Sequence, residues 1–571
     1  MNKKLLLLLP FLALTACSPS SSQPASTPST PVTPNVPWWE DVDTTLTESE
    51  RPTVKAWIAN GNEFDGTKKD SVWQKMEQCS GVNMAITGAN VQNNYYTSLN
   101  PLLTSRNCDL DIVFSVPSDP NCAYETAINQ DIYWNIEELL VSKPNRYPHI
   151  EKIIRSNVYK NIAYGDNIHS IIPYLTSRSG WAIYYRSDWL INVGYYTEVE
   201  GVKVAKTPVT IEEFEEVMRL FTLNDPDKNG QNDTYALSPA GDFFFQNPLY
   251  HAFGVTPDYD LDENNEVTYM YTQEEFRDYL SWANEMFNNG YIDPQFSANA
   301  KNVQDREKFY KGDVGILITN GENHVDFILS GVEKNSGMKN AVTIGKAPVG
   351  TKNLGKEGVG GFSDWGGWWG GYSIYKHYNG STPDYNRAYN ALQLLDYLYS
   401  PEGGLTRMYG IQDVHWEYDE NNEIKPIIEA RIDERDKTFN AVNDENGIAR
   451  LTGSYRMGTA WGNRAIWNGD NFETEVTSVN IPASYKEIFE KTVEMNNVVS
   501  SKLVNFTKFA KGFSSKMNLF EKEMDRYATE VMRSNPLNIN WEAELNRLNN
   551  NYSWSQIKQM IKEQATISGI I

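Results

Sequence analysis

The stretch DPDKNGQNDTY, Asp225 to Tyr235, sets oxygen-bearing residues at alternate positions around a glycine. Asp225, Asp227, Asn229, Gln231 and Asp233 occupy the odd places of the loop, and Gly230 stands where a calcium loop makes its sharp turn. Hard cations take oxygen ligands from such a loop, with Gln231 giving its backbone carbonyl. The place that supplies a bidentate glutamate in a regulatory loop is Ala236. A calcium sensor is therefore not expected, and the spacing points to Ca2+ as a structural brace. The other reading is a plain Asp/Asn/Gly turn closing the helix that ends near Leu223. Three carboxylates packed together repel unless a cation joins them, and that separates the two readings.

A second group of residues suits recognition. GFSDWGGWWGGYSIY, Gly361 to Tyr375, places Trp365, Trp368 and Trp369 among glycines that allow close approach. Its indoles are either cleft faces or core, and Trp365 and Trp368 are taken for the cleft. Asn60 and Glu63 follow the apolar run TVKAWI, at the carboxyl end of a strand, where open α/β sheets place ligands. A polar loop entering a helix would look the same. Tyr174 and Arg178 stand in PYLTSRSG; the arginine suits a carboxylate or vicinal hydroxyls, or an acidic bracing partner. Trp461 in MGTAWGNR offers a further stacking face, or ordinary packing.

These residues need a scaffold, and the chain alternates strand-like and helix-like segments as an α/β layer fold requires. Strands are expected at 53–58, 111–116, 169–174, 180–186, 313–319 and 341–348, and a helix from Asp70 to about Gln78. Thr210 and Glu213 form a capping-box pattern before Ile211, Phe214, Val217, Met218 and Phe221 at helical spacing. Thr272 and Glu275 repeat it before Phe276, Tyr279, Leu280 and Ala283. A helix carrying Leu395 and Leu398 should close at Pro401 and Gly403, and the tail from Tyr485 reads as mostly helical.

MNKKLLLLLPFLALTAC puts two lysines before an apolar run too short to span a bilayer, then small residues before Cys17. Residues 1–16 are read as a lipoprotein signal peptide that leaves a lipidated Cys17. Residues 17–49, Ser/Thr/Pro-rich, are read as a flexible tether. The protein is thus expected at the extracytoplasmic face of a bacterial membrane, lipid-anchored. A net charge of −23 over 571 residues argues against nucleic acid. Cys79, Cys108 and Cys122 remain beyond Cys17, so at most one disulfide can form among them.

Four stretches, in chain order, resemble the extracellular solute-binding protein family 1, the substrate-binding lipoproteins of ABC importers, in its carbohydrate-binding branch. AWIANGNEFDG resembles the first strand and cleft loop, and IAYGDNIHSIIPYLTSRSGWAIYYRSDWL the crossing between lobes. MFNNGYIDPQF with FYKGDVGILITNGENH is similar to the second lobe's cleft wall, and LLDYLYSPEGGLTRMYG to the late helix and turn. The resemblance implies an α/β, periplasmic-binding-protein-like type II fold, with two lobes joined by a hinge and the ligand between them. Lobe 1 would take 50–175 plus about 360–410, and lobe 2 176–359 plus about 411–571.

It also implies function: a monomer that binds an oligosaccharide, catalyses nothing and delivers its ligand to permease subunits. Sugars offer hydroxyl edges and C–H faces, which suits Asn60, Glu63, Tyr174, Arg178, Trp365, Trp368 and Trp461. Some members carry a calcium loop after the corresponding helix, often with an acid after the last aspartate; here Thr234 stands there. Two rivals remain. An exported glycoside hydrolase needs two carboxylates at a set separation, and no recognisable hydrolase pattern is present. A surface adhesin or sensor on the same tether would show a broad exposed patch in place of a cleft.

Overall fold

The computed structural model describes residues 36–59, 69, 71–89, 95–105, 108–117, 121–155, 163–172, 181–239, 247–299, 303–320, 325–338, 341–363, 370–420, 424–427, 465–468, 471–474, 498–503 and 514–571. Two sheets and a short pair of strands are built from β1 (Thr53–Ala59), β2 (Asn83–Ala89), β3 (Ile112–Ser115), β4 (Trp181–Arg186), β5 (Tyr235–Leu237), β6 (Val314–Asn320), β7 (Val342–Gly345), β8 (Phe362–Ser363), β9 (Gly371–Ile374) and β10 (Val498–Val499).

In β1 the run Ala56–Ala59 is buried throughout, the pattern of a strand covered on both faces. It pairs in parallel with β2, from Thr53↔Asn83 to Ala59↔Ala89, and with β3 on its other side. Parallel neighbours need a crossover, which the helix Ser71–Ser80 supplies between β1 and β2. β9 joins antiparallel to β3, with Gly371 opposite Ser115, giving the order β9-β3-β1-β2. The second sheet has the order β7-β4-β6-β5, with β4 antiparallel to both neighbours and β5 parallel to β6.

Each sheet has its own apolar core. The first gathers Trp38 to Ile172 and returns with Tyr372 to Tyr399. The second runs from Ile183 to Phe362 and is completed by Leu503 and the helices Ser514–Arg533, Trp541–Tyr552 and Trp554–Ile567. Along β4 the period of two is plain: Ile183 and Tyr185 face this core, while Ala182 and Tyr184 face a smaller cluster with Phe309 and Ile328. No helix among the described residues is long and apolar enough to cross a membrane.

The capping box at Thr210 and Glu213 is formed in both directions, and the expected apolar residues of Ile211–Leu223 are buried. Other expectations need correction. Residues 169–172 form no strand; Ile171 makes only an isolated bridge to Tyr372. Thr272 does not cap the helix Glu274–Asn288, because it ends a short 3-10 turn and bonds back to Tyr269. Pro401 and Gly403 do more than stop the helix Tyr385–Leu398. Ser400 caps a new helix, Pro401–Tyr409, by accepting from Gly403 N.

The stretch read as tether is docked over its last residues. Trp38 is 2% exposed, and its indole N–H donates to Asp396 at 2.8 Å. The Asp396 carboxylate, fully buried, also accepts from Ile150 N and lies 2.9 Å from His149 Nδ1. Among the described residues no disulfide joins Cys79, Cys108 and Cys122.

Candidate ligand cleft and metal loop

Asn60, Glu63, Tyr174, Arg178, Trp365, Trp368 and Trp461 lie outside the described residues, as does Cys17. The described residues on either side of them define where those stretches begin and end. The 60–68 stretch starts at Ala59, the carboxyl end of β1, and 364–369 ends beside Gly371, which pairs with Ser115 at the carboxyl end of β3. Both therefore branch from one edge of the first sheet. The 173–180 stretch leaves the first core at Ile172 and enters β4 at Trp181, paired with Asn320 at the carboxyl end of β6.

Two short runs thus join the cores. A fully extended chain limits Ile172 and Trp181 to about 32 Å apart, and Ser363 and Gly370 to about 25 Å. The 173–180 run enters the second sheet, and the 364–369 run the first, at a carboxyl edge. Such an edge is where open α/β folds bind, because strand ends stop there and loops with free polar groups begin.

The second sheet's edge carries a polar network that sequence reasoning missed. Ser238, one residue past β5, donates to Asp293 Oδ2 at 2.6 Å, and Lys308 Nζ reaches the same oxygen at 2.5 Å. Asn299 Nδ2 donates to Ser238 Oγ at 2.8 Å and to the Pro239 carbonyl at 2.9 Å. Burial pushes the Asp293 carboxyl up, but the Lys308 ammonium and the Ser238 and Gln295 donors outweigh it and hold it below its usual range. Arg306 Nη2 donates to Thr319 Oγ1, 3.0 Å, near the end of β6. These residues are 13 to 70 positions apart, so no local motif marks them.

The Asp225–Asp233 loop is fully described. Asp225, Lys228 and Gly230 have positive φ, and only the glycine takes 87° without strain. Asp225 spends both carboxylate oxygens on the N–H groups of Asn229 and Gly230, each 3.0 Å away. Asn229 Nδ2 donates to Asp227 at 3.0 Å and to Asp233 at 3.1 Å. The side-chain oxygen of Asn229 is turned away and accepts from Gln231 N at 2.8 Å. Partial burial, then the Asp225 and Asp233 carboxylates, push the Asp227 carboxyl up. Among the described residues no group of three or more His, Cys, Asp or Glu is arranged to hold a metal ion. The carboxylates converge on an amide nitrogen instead.

No family model matches the chain. Among solved structures, it is similar to an extracellular solute-binding protein from Bifidobacterium longum subsp. infantis, at 14% identity over 92% of this chain and 100% of that one, TM-score 0.61. The fold is that of the extracellular solute-binding proteins. The same likeness extends to an EF-hand mutant of the Streptococcus pneumoniae ABC-transporter substrate-binding protein FusA in complex with fructo-nystose. There identity is 14% over 90% of this chain and 98% of that one, TM-score 0.59. Two Bacillus subtilis (strain 168) proteins match part of the sequence. The polygalacturonan/rhamnogalacturonan-binding protein YtcQ is 27% identical over 229 residues, 39% of this chain and 41% of its own. Lipoprotein LipO is 25% identical over 215 residues, 36% of this chain and 38% of its own. The match thus spans about two-fifths of each relative's length.

Proposed function

We propose that the protein is the substrate-binding lipoprotein of an ABC importer. It captures an extracellular oligosaccharide between its two units, leaves it chemically unchanged and hands it to the permease. The observation that carries this reading is the pair of α/β units whose strand ends are linked by the runs 173–180 and 364–369. The solved neighbours named above support it, and YtcQ's name directs attention to acidic polysaccharides.

In this reading the first lobe runs from Trp38 to Ile172 and from Gly371 through Ile411, and the second takes the rest of the described residues up to the C-terminal helices. Asn60, Glu63, Trp365 and Trp368 meet the ligand from the first sheet's edge. Tyr174 and Arg178 meet it from the crossing, and Trp461 from the late chain. Stacking on indoles and paired hydrogen bonds are what a pyranose ring with its hydroxyls requires. Closing rigid lobes over the ligand gives the permease one shape to recognise. Cys17 carries lipid after loss of residues 1–16, and the tether ends where Trp38 docks against Asp396.

The Asp225–Asp233 loop takes Ca2+ in this reading. Asp225, Asp227 and Asp233, with Asn229 and the Gln231 carbonyl, are the hard oxygen donors the ion prefers. The Asn229 side-chain amide bridges Asp227 and Asp233, and burial together with the neighbouring carboxylates raises Asp227, a crowding that a bound cation would relieve. Binding would require the Asn229 side chain to give up its present bonds. The bound ion would supply only charge balance to the end of the helix Ile211–Leu223, away from the strand ends.

A thermal-shift panel of glycans, including oligogalacturonides and fructo-oligosaccharides, tests the central reading, because a ligand bound only by the folded state raises the melting temperature. A shift with short peptides and with no glycan would contradict it.

A further inference from the structure

The helix Trp554–Ile567 of the second unit touches the first. It lays Ile557, Ile561 and Ala565 into the second core, and Gln564 on the same helix is 4% exposed. The Gln564 side-chain amide donates to the Gly165 carbonyl at 3.0 Å, with the Ala163 carbonyl 3.4 Å away. The Ser568 hydroxyl, one turn on, lies 3.3 Å from the same nitrogen. Both carbonyls belong to the first unit. Tyr164 and Asn167 pair across a two-residue turn in which Gly165 takes a φ of 68°. The Tyr164 hydroxyl donates to Glu125 at 3.0 Å, the Asn135 amide donates to Asn167 Oδ1 at 2.9 Å, and Ile168 lies in the first core. Turn and helix are each fixed to their own unit, so the bond between them joins the units.

The contact lies away from the carboxyl edge of the first sheet. β9 runs antiparallel to β3, so Gly371 sits at that edge and Ile374, opposite Ile112, at the amino end. Ile374 O accepts from Trp134 N, and Ile168 O accepts from Ile136 N, so the turn that precedes Ile168 stands towards the amino end. From there the chain returns to the carboxyl edge. Ile171 bridges to Tyr372, and a Cβ on Gly371 would stand 2.9 Å from Ile172 Cγ2. β9 is also the outer strand of its sheet, with β1 and β2 beyond β3. The bond thus ties the units along the β9 flank, behind the strand ends.

We infer that Gln564 is a positioning residue for ligand capture: its bond to Gly165 braces the two units apart at the strand ends and has to break when they close. The inference rests on the proposed capture of an oligosaccharide between the units. Closing over the carboxyl edge swings the β9 flank open, and the helix then parts from the turn. Such a brace lowers apparent affinity, because only the fraction of molecules with the flank open is competent to close.

The test compares the mature chain with Gln564→Leu, which keeps the side chain's bulk and removes its donors, and with Gln564→Glu, which sets a carboxylate against the two carbonyls. Calorimetry with oligogalacturonides and fructo-oligosaccharides, small-angle scattering of the ligand-free chains and melting temperature are read together. Gln564→Leu is expected to bind roughly threefold to tenfold more tightly than the parent, the bias that one hydrogen bond gives, and to have a smaller ligand-free radius of gyration. Gln564→Glu is expected to move both in the same direction and further. Should Gln564→Glu fail to fold, Gln564→Leu, which introduces no charge, decides the matter. Unchanged or weaker affinity in a folded variant overturns the inference while leaving the proposed function intact. A variant that only melts lower, as the loss of a packing contact would give, also overturns it. A parent chain that binds no glycan removes the proposed function, and the scattering of the ligand-free chains then still decides whether Gln564 holds the units apart.

Discussion

Asp396 and the Asp225–Asp233 loop both collect polar partners around carboxylate, and they do so in opposite ways. Asp396 is a single carboxylate, fully buried, that receives the Trp38 indole and the Ile150 N–H and lies against His149. The loop holds three carboxylates, Asp227 and Asp233 exposed and Asp225 half-buried, and the first two accept from the same Asn229 side-chain amide. A buried charge survives only when its own fold satisfies it. A surface loop can leave part of its balance to solvent or to an ion. The first arrangement is closed by groups drawn from across the fold; the second is closed locally, on the Asn229 side-chain amide.

Breaking the first arrangement should have the largest effect. Asp396→Ala strands the Trp38 and Ile150 donors and should cost about 3 kcal/mol or more in denaturant unfolding. It should also expose Trp38, read as a red shift of the native fluorescence. A cost under about 1 kcal/mol would mean that solvent reaches this site.

Next in size is acid. Burial pushes the His251 imidazole down to about 4 from its ordinary 6.5. The groups facing it are the Ser363 hydroxyl, the Val255 carbonyl and the Tyr250 hydroxyl, whose own burial keeps it protonated, with Asp258 beyond Tyr250. Below pH 6.5 the unfolded chain takes up a proton that the folded ring refuses. The stability tied to this ring is therefore whole above pH 6.5 and declines as pH falls towards 4, by at most about 3 kcal/mol. Unfolding measured at pH 7, 5.5 and 4.5 should fall less steeply in His251→Gln than in the parent. Parallel curves would show that the ring titrates normally.

Calcium should act more gently. At a hundredfold excess over its dissociation constant it should add about 2.7 kcal/mol to folding, with ligand affinity nearly unchanged. Replacing Asp227 and Asp233 by asparagine removes the repulsion, so the variant should melt higher than the parent in chelator and ignore added calcium. Because Asp227 is raised, its unfavourable contribution in chelator grows as pH rises through the carboxylate range and fades below it. A variant that keeps the parent's response to chelator would make the loop a turn.

The same contrast explains what could be read in the sequence. Features closed within a few residues were legible: the Thr210–Glu213 box, the apolar face of Ile211–Leu223 and the strand Thr53–Ala59. Local signals misled where a neighbour competed for the same group. Tyr269 took Thr272 out of its expected cap; the helix ahead of Pro401 and Gly403 does end at Leu398, and the same residues also open a new helix capped by Ser400. Partners far apart in sequence gave no signal. Trp38 and Asp396 are 358 positions apart, His251 and Ser363 are 112, and only folding brings them together. The ligand residues Asn60, Glu63, Tyr174, Arg178, Trp365, Trp368 and Trp461 remain a proposal built on the strand ends that flank them.

The most direct test of the account is a calorimetric titration of the mature protein with purified oligogalacturonides and fructo-oligosaccharides, followed by chromatography of the recovered sugar. Saturable binding of at least one oligosaccharide, recovered at its original length, is the predicted result. Recovery of shortened products, or no heat of binding with any glycan while short peptides bind, would contradict it.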